Sequence, residues 1–278
     1  MTKLLRAAVW LAVVPLLARC GAQPSPGAGP PSEEAPAVTQ PAPPAAPAPP
    51  LDANRARFLD HFAKREYAQA LDAALAALDA APADREPYMM VSKTLIESGR
   101  DADGPALFAR YAAKRPDRAE PWFFRGFHEA RLGRWADAQA SLERAAAMAP
   151  SDAETRFRLG LVLQERGDAR RAAEELRRAR DLDPGSAGKA AALMVVLSAA
   201  GLDPEAERVA AELGARTPPS AEARYAVARL RLKQRRWTDA EAALREALEI
   251  DPAFEPARRD LNLLLDRAGQ AQRQSPPR

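Results

Sequence analysis

Six prolines stand at one phase of a 34-residue period: Pro82, Pro116, Pro150, Pro184, Pro218 and Pro252. A period of that length marks a chain built by stacking one short unit on itself, because a unit so small cannot bury an apolar face alone. Other residues keep step. Gly99, Gly133, Gly167, Gly201 and Gly269 share a second phase, with Arg65 and Arg235 as its exceptions. Ala70, Gly104, Ala138, Ala172, Ala206 and Ala240 share a third. Ala77, Ala145, Ala179 and Ala247 share a fourth, where Tyr111 and Leu213 are larger substitutes.

Each marker has a physical task. Ala and Leu dominate the apolar residues, and both are strong helix formers, so the unit reads as helical. A helix of about 12 residues must turn sharply into a second one, and glycine at the turn accepts the positive φ that ends the first helix. The small residue of the third phase sits where the two helices cross, so that their axes approach closely. The small residue of the fourth phase does the same where the second helix meets the next unit. The proline follows the second helix and blocks its continuation, twice as an Asp-Pro pair (Asp183-Pro184, Asp251-Pro252).

These residues carry a resemblance to the tetratricopeptide repeat. In residues 119–152 the signature places hold Trp122, Gly126, Gly133, Trp135, Ala138, Leu142, Ala145 and Pro150; in residues 153–186 they hold Gly160, Gly167, Ala172, Leu176, Ala179 and Pro184. Units 51–84, 85–118, 119–152, 153–186, 187–220 and 221–254 follow without a gap. A seventh first helix, 255–269, is expected as a cap, with Leu261, Leu263, Leu264 and Leu265 covering the open end. Residues 270–278 read as a polar tail. The departures are that the first unit lacks its glycine, and that Met194 and Ala228 stand where Gly126 and Gly160 do. The resemblance implies an all-α, right-handed α-solenoid of six helix pairs plus a C-terminal capping helix.

The first fifty residues have another character. Lys3 and Arg6 precede a short apolar run, Ala7 to Ala18, which is the anatomy of a secretory signal over residues 1–20. Its end, Leu17-Ala18-Arg19-Cys20-Gly21, resembles the lipobox of bacterial lipoproteins, in which the cysteine is acylated; Arg19 departs from the Gly or Ala which that family places there. Cys20 is also the single cysteine of the chain, so no internal disulfide is available. Residues 21–50, mostly Pro, Ala and Gly, cannot bury enough surface to offset chain entropy and read as a linker. In polyproline II form such a segment reaches roughly 90 Å at about 3.1 Å per residue. The expected location is the cell envelope: periplasmic, held on a membrane by a lipid anchor, the outer membrane rather than the inner.

For the solenoid, the resemblance implies a concave face lined by the second, fifth, ninth and twelfth positions of each first helix, where a peptide or helix of another protein binds. Those positions here include Leu59, Phe62, Met89, Lys93, Ile96, Phe123, Phe127, Phe157, Leu161, Gln164, Val195, Tyr225, Arg229 and Leu232. The strip is apolar for a surface facing solvent, and such patches mark binding sites. An aromatic at helical spacing also serves as core, so packing is the alternative for each ring. The ninth positions contain no Asn, which sets the strip apart from the family's subtype that clamps acidic C-termini.

Catalytic, metal and cofactor sites are not expected. His61 and His128 lie in different units with no carboxylate–cysteine constellation, and His128-Glu129 has no second histidine at the spacing of a zinc protease. Asp101 reads as a helix cap. With 41 basic against 38 acidic residues, the charge is too balanced for nucleic-acid binding. The sequence therefore points to a non-catalytic protein-interaction scaffold of the envelope. In the specific form it resembles the pilotin family, which escorts the secretin of type IV pili. A soluble periplasmic chaperone-like module and an accessory subunit that recruits an envelope biosynthetic enzyme are the alternatives.

Overall fold

The structure, a computed structural model, describes residues 51–215 and 219–274, with side chains to residue 267. The signal, Cys20 and the linker lie outside the described residues, as does Pro218. Among the described residues there are thirteen α-helices and one 3-10 turn, and no strand. They form six consecutive pairs: α1 (Leu51–Ala63) with α2 (Tyr67–Ala80), α3 (Arg85–Glu97) with α4 (Gly104–Lys114), α5 (Glu120–Arg131) with α6 (Trp135–Met148), α7 (Ala153–Glu165) with α8 (Ala169–Leu182), α9 (Ala187–Ala199) with α10 (Asp203–Gly214), and α11 (Ala221–Lys233) with α12 (Trp237–Ile250). A final helix, α13 (Glu255–Gln274), closes the stack. No helix among the described residues is long and apolar enough to cross a membrane.

The periodic markers do what their chemistry requires. Ala70, Ala138, Ala172, Ala206 and Ala240 are fully buried, as are Ala77, Ala145, Ala179 and Ala247. A larger side chain there would hold the helices apart. Pro82, Pro116, Pro150, Pro184 and Pro252 each fall two residues beyond the end of a second helix. Four helices start on a side-chain cap. Asp152, Asp168, Ser186 and Ser220 accept the backbone N–H of the residue three further on, at 3.1–3.3 Å.

The turn between paired helices demands a left-handed residue. Gly99, Gly133, Gly167 and Gly201 have φ of 72°, 73°, 87° and 74°, and the two exceptions, Arg65 and Arg235, are forced to 59° and 60°. A side chain in that region costs about 1–2 kcal/mol. Both arginines are exposed. Arg65→Gly and Arg235→Gly are therefore expected to raise stability by about 0.5–1 kcal/mol each, measured as an upward shift of the urea midpoint at unchanged slope. A downward shift would show that the turn carries no strain. Gly269 keeps the phase but not the turn: α13 runs through it to Gln274, five residues past the expected end of the cap. α13 exposes Leu263 and Leu265, whereas Leu261 and Leu264 lie against the core of Leu244, Ala247 and Ala257.

The first helices form one layer. α3, α5, α7, α9 and α11 touch one another in succession, whereas no two second helices pack closely. A curved stack crowds its elements on the side of shorter radius, so the first helices line the inner face. The second unit is irregular: α3 and α4 make few close backbone approaches, unlike every other pair. A wedge of fully buried rings, Tyr88 and Phe108, together with Tyr111 and Phe124, fills the space between them.

Candidate protein-binding groove

The inner face divides into ends and middle. At the N-terminal end Leu59 is 56% exposed and Met89 45%. Phe62 is half-buried beneath the exposed Lys93, whose Nζ lies 4.6 Å from the ring centroid. Phe127 is also half-buried, flanked by Arg158 at 5.2 Å and Arg131 at 5.9 Å. At the C-terminal end Tyr225 is half-buried, its hydroxyl donates to Asp260 at 2.9 Å, and Arg229 lies 6.0 Å from its ring. Ile96, Gln164, Val195 and Leu232 are partly exposed.

The middle departs from expectation. Phe123 (6% exposed), Phe157 (3%) and Leu161 (3%) are core residues rather than groove lining. The reason lies in charges contributed by neighbouring units. The Arg85 guanidinium sits 4.2 Å from the Phe123 ring centroid and reaches on to Asp152 at 2.8 Å. One ion pair thus straps the start of the second unit to the last residue of the third, where Asp152 caps α7, with the third unit's ring beneath it. Lys189 likewise stands 5.6 Å from Phe157, held by Asp183 at 2.9 Å and Glu154 at 3.6 Å. Arg158, tied to Glu154 at 2.6 Å, shares the same ring at 5.6 Å. No local pattern marks these lids, because Arg85 and Asp152 are 67 residues apart.

A second polar cluster was also not legible. His128, fully buried on α5, offers Nε2 to the Ser92 hydroxyl at 2.9 Å and Nδ1 to the Asp101 carboxylate. Arg131 donates to the other Asp101 oxygen at 2.6 Å. Asp101 therefore opens the 3-10 turn as a tie to α5 and caps no helix through its side chain. The order Ser–His–Asp is that of a hydrolytic triad. Here the serine is 4% exposed in mid-helix, and the histidine stacks on Phe108 at 5.5 Å, so the hydroxyl is closed to a substrate. The cluster joins the second unit to the third.

Two of these ties make the fold acid-sensitive. Burial works to raise the Asp152 carboxyl, but hydrogen bonds from Thr155 and Arg85 outweigh it and hold the group below its usual range. For Asp101, burial is likewise outweighed by His128 and Arg131. A carboxyl lowered by folding stabilises above its unfolded pKa of about 3.9. That contribution is lost as pH falls through the lower folded value, because the unfolded chain then binds more protons. The thermal midpoint is expected to fall on acidification below about pH 4. Asp152→Asn should be less stable at neutral pH and show a shallower acid slope; an unchanged slope would remove Asp152 from the account.

Residues 128–187 match the family model of the tetratricopeptide repeat. No curated protein matches the chain. Among solved structures, TTC0263, a thermophilic TPR protein from Thermus thermophilus, superposes with a TM-score of 0.53 at 22% identity, over 66% of this chain and 99% of that one. A chain of the APC/C hetero-tetramer Cut9–Hcn1 gives a TM-score of 0.58 at 17% identity, over 78% of this chain but only 43% of that one. YrrB, described as a TPR protein with an unusual peptide-binding site, gives 0.50 at 19%, over 68% and 98%. At such identities the likeness is one of fold. Residues 128–187 thus match the tetratricopeptide repeat, and the described residues form an all-α solenoid of helix pairs with the fold of those structures.

Proposed function

We propose that this chain is a non-catalytic scaffold of the bacterial cell envelope that holds segments of other proteins on its inner face. The observation that carries the reading is the exposure of Leu59 and Met89, with the half-buried Phe62, on the first helices α1 and α3. Contiguous exposed apolar side chains are a common mark of a protein-binding surface. The peptide-binding site named for YrrB supports the same use of the fold. The anchor is an acylated Cys20, and residues 21–50 are the tether between membrane and solenoid. The machine we assign it to is a type IV pilus secretin or a comparable outer-membrane assembly.

Cross-linking in the envelope of an expressing Gram-negative cell, followed by denaturing capture, tests the scaffold. Recovery of secretin with the wild type but not with Leu59→Asp/Met89→Asp is the expected result. Equal recovery with both would remove the inner face from the reading, and no machine component at all would remove the assembly role. Intact mass of the membrane-extracted protein, against Cys20→Ser, tests the anchor. Arg19 favours a second reading, in which ordinary signal cleavage leaves a soluble periplasmic module; an unacylated mature form would establish it.

A further inference from the structure

Five cations beside rings along the inner face divide into two kinds, together with a sixth at its far end. Arg85, Arg131, Arg158 and Lys189 are each committed to a carboxylate of the chain, at 2.8, 2.6, 2.6 and 2.9 Å. Lys93 is not. Its ammonium rests on Phe62, it is exposed, and no carboxylate among the described residues forms an ion pair with it. Glu86, two turns back along α3, is taken by Arg55 at 2.9 Å, and Glu97, one turn along α3, does not pair with Lys93. Arg229 at the far end is similarly uncommitted, but the ring beside it already holds Asp260 through its hydroxyl.

We infer that the N-terminal end of the inner face, formed by Leu59, Phe62, Met89 and Lys93, takes an acidic amphipathic segment of a partner protein. The inference rests on the scaffold reading above and names the chemistry of its partner. Leu59 and Met89 are exposed on the same two helices, α1 and α3, whose Phe62 and Lys93 meet, and Lys93 carries its charge there without an ion pair among the described residues. Met89 and Lys93 stand one helical turn apart on α3, so they present an apolar contact and a positive charge at helical spacing. A partner helix meets both when it carries a large apolar residue and a carboxylate three or four positions apart. The carboxylate gains a charge-assisted hydrogen bond from Lys93, and the apolar residue removes Leu59 and Met89 from water. The middle of the face does not compete, because internal ion pairs already roof Phe123 and Phe157. A basic segment would bring like charge onto Lys93 and is rejected.

The test is a random peptide-display library panned on the protein purified from expressing cells, on Lys93→Glu, and on Leu59→Asp. Both positions are exposed, and far-UV circular dichroism confirms that each variant is folded before panning. The wild type is expected to enrich peptides with Asp or Glu three or four residues from a large apolar residue. A synthetic copy of the consensus should bind Lys93→Glu at least tenfold more weakly, and a copy with its acids changed to Lys should regain affinity for that variant. Enriched peptides without charge bias, or equal affinity for Lys93→Glu, would overturn the acidic assignment while leaving the groove in place. Peptides that bind Leu59→Asp as well as wild type would overturn the scaffold reading itself. A concentration-dependent dimer lost in Leu59→Asp would overturn the inference in favour of a second copy as occupant.

Discussion

Phe108→Ala is expected to cost about 3–5 kcal/mol, the range for removing a fully buried phenylalanine, and so a large share of the whole stability of a domain. The Phe108 ring lies 6.3 Å from Tyr88, 5.5 Å from Phe124 and 5.5 Å from His128, so it joins α3, α4 and α5 at once. Elsewhere in the solenoid a pair of helices is held by close contact over alanine. In the second unit α3 and α4 stand apart, and the rings are what connect them. Removing one leaves a cavity between α3 and α4, which have few other close approaches, and the stack should then loosen within the second unit. Urea denaturation followed by circular dichroism should show a lower midpoint and a shallower, less cooperative transition, as expected when a repeat stack is uncoupled in the middle. Trp237→Ala, at a half-exposed ring, is the control and should change stability by less than about 1 kcal/mol. A loss of similar size in both would show that the aromatic wedge has no special part in the stack.

The second large effect concerns Gly104. It holds the small-residue phase where the other units have alanine, and the structure gives the reason. A Cβ built there would lie 2.6 Å from His128 Nδ1 and 2.8 Å from Cδ2. The imidazole cannot swing away, because one nitrogen is bound to Asp101 and the other to Ser92 at 2.9 Å. Gly104→Ala is therefore expected to cost about 1–3 kcal/mol by overpacking, although alanine suits the same phase in the other five units. His128→Ala should also destabilise, since it strips the partner from the Asp101 carboxylate and the Ser92 hydroxyl. The two changes should not add. With the ring gone, the added methyl has room, and Gly104→Ala in the His128→Ala background should come within about 0.5 kcal/mol of neutral. A double-mutant cycle reads this coupling directly. Additive losses would mean that Gly104 is required for the start of α4 and not for the ring above it.

How much of this was legible follows from the distance over which each feature is decided. The helix pairs, their turns and the prolines that end them were readable, because a turn that needs positive φ and a crossing that needs a small side chain are satisfied by residues at fixed local spacing. Even the exceptions were visible: Arg65 and Arg235 stood at the glycine phase, and both are bent into its conformation. The cap was readable as a helix but not in its length. The phase placed Gly269 at a turn, whereas α13 continues through it to Gln274.

The candidate site was half legible. Position within the unit named Leu59, Phe62, Met89 and Lys93 for the inner face, and the structure shows that all four are at least partly open to solvent. The same rule named Phe123, Phe157 and Leu161, which are sealed. Position sets only which helix and which side a residue occupies. Whether it is open depends on what the neighbouring units lay across it, and Arg85, Asp152 and Lys189 come from elsewhere in the stack. The Ser92–His128–Asp101 tie was invisible for the same reason, since its members lie on three separate elements. The sequence by itself determined the unit, its period and the order of stacking, because those follow from backbone conformation and side-chain size at short range. Only the tertiary structure decided which of those residues stay open, because ion pairs between units cover the Phe123 and Phe157 rings, whereas Lys93 over Phe62 forms no ion pair among the described residues.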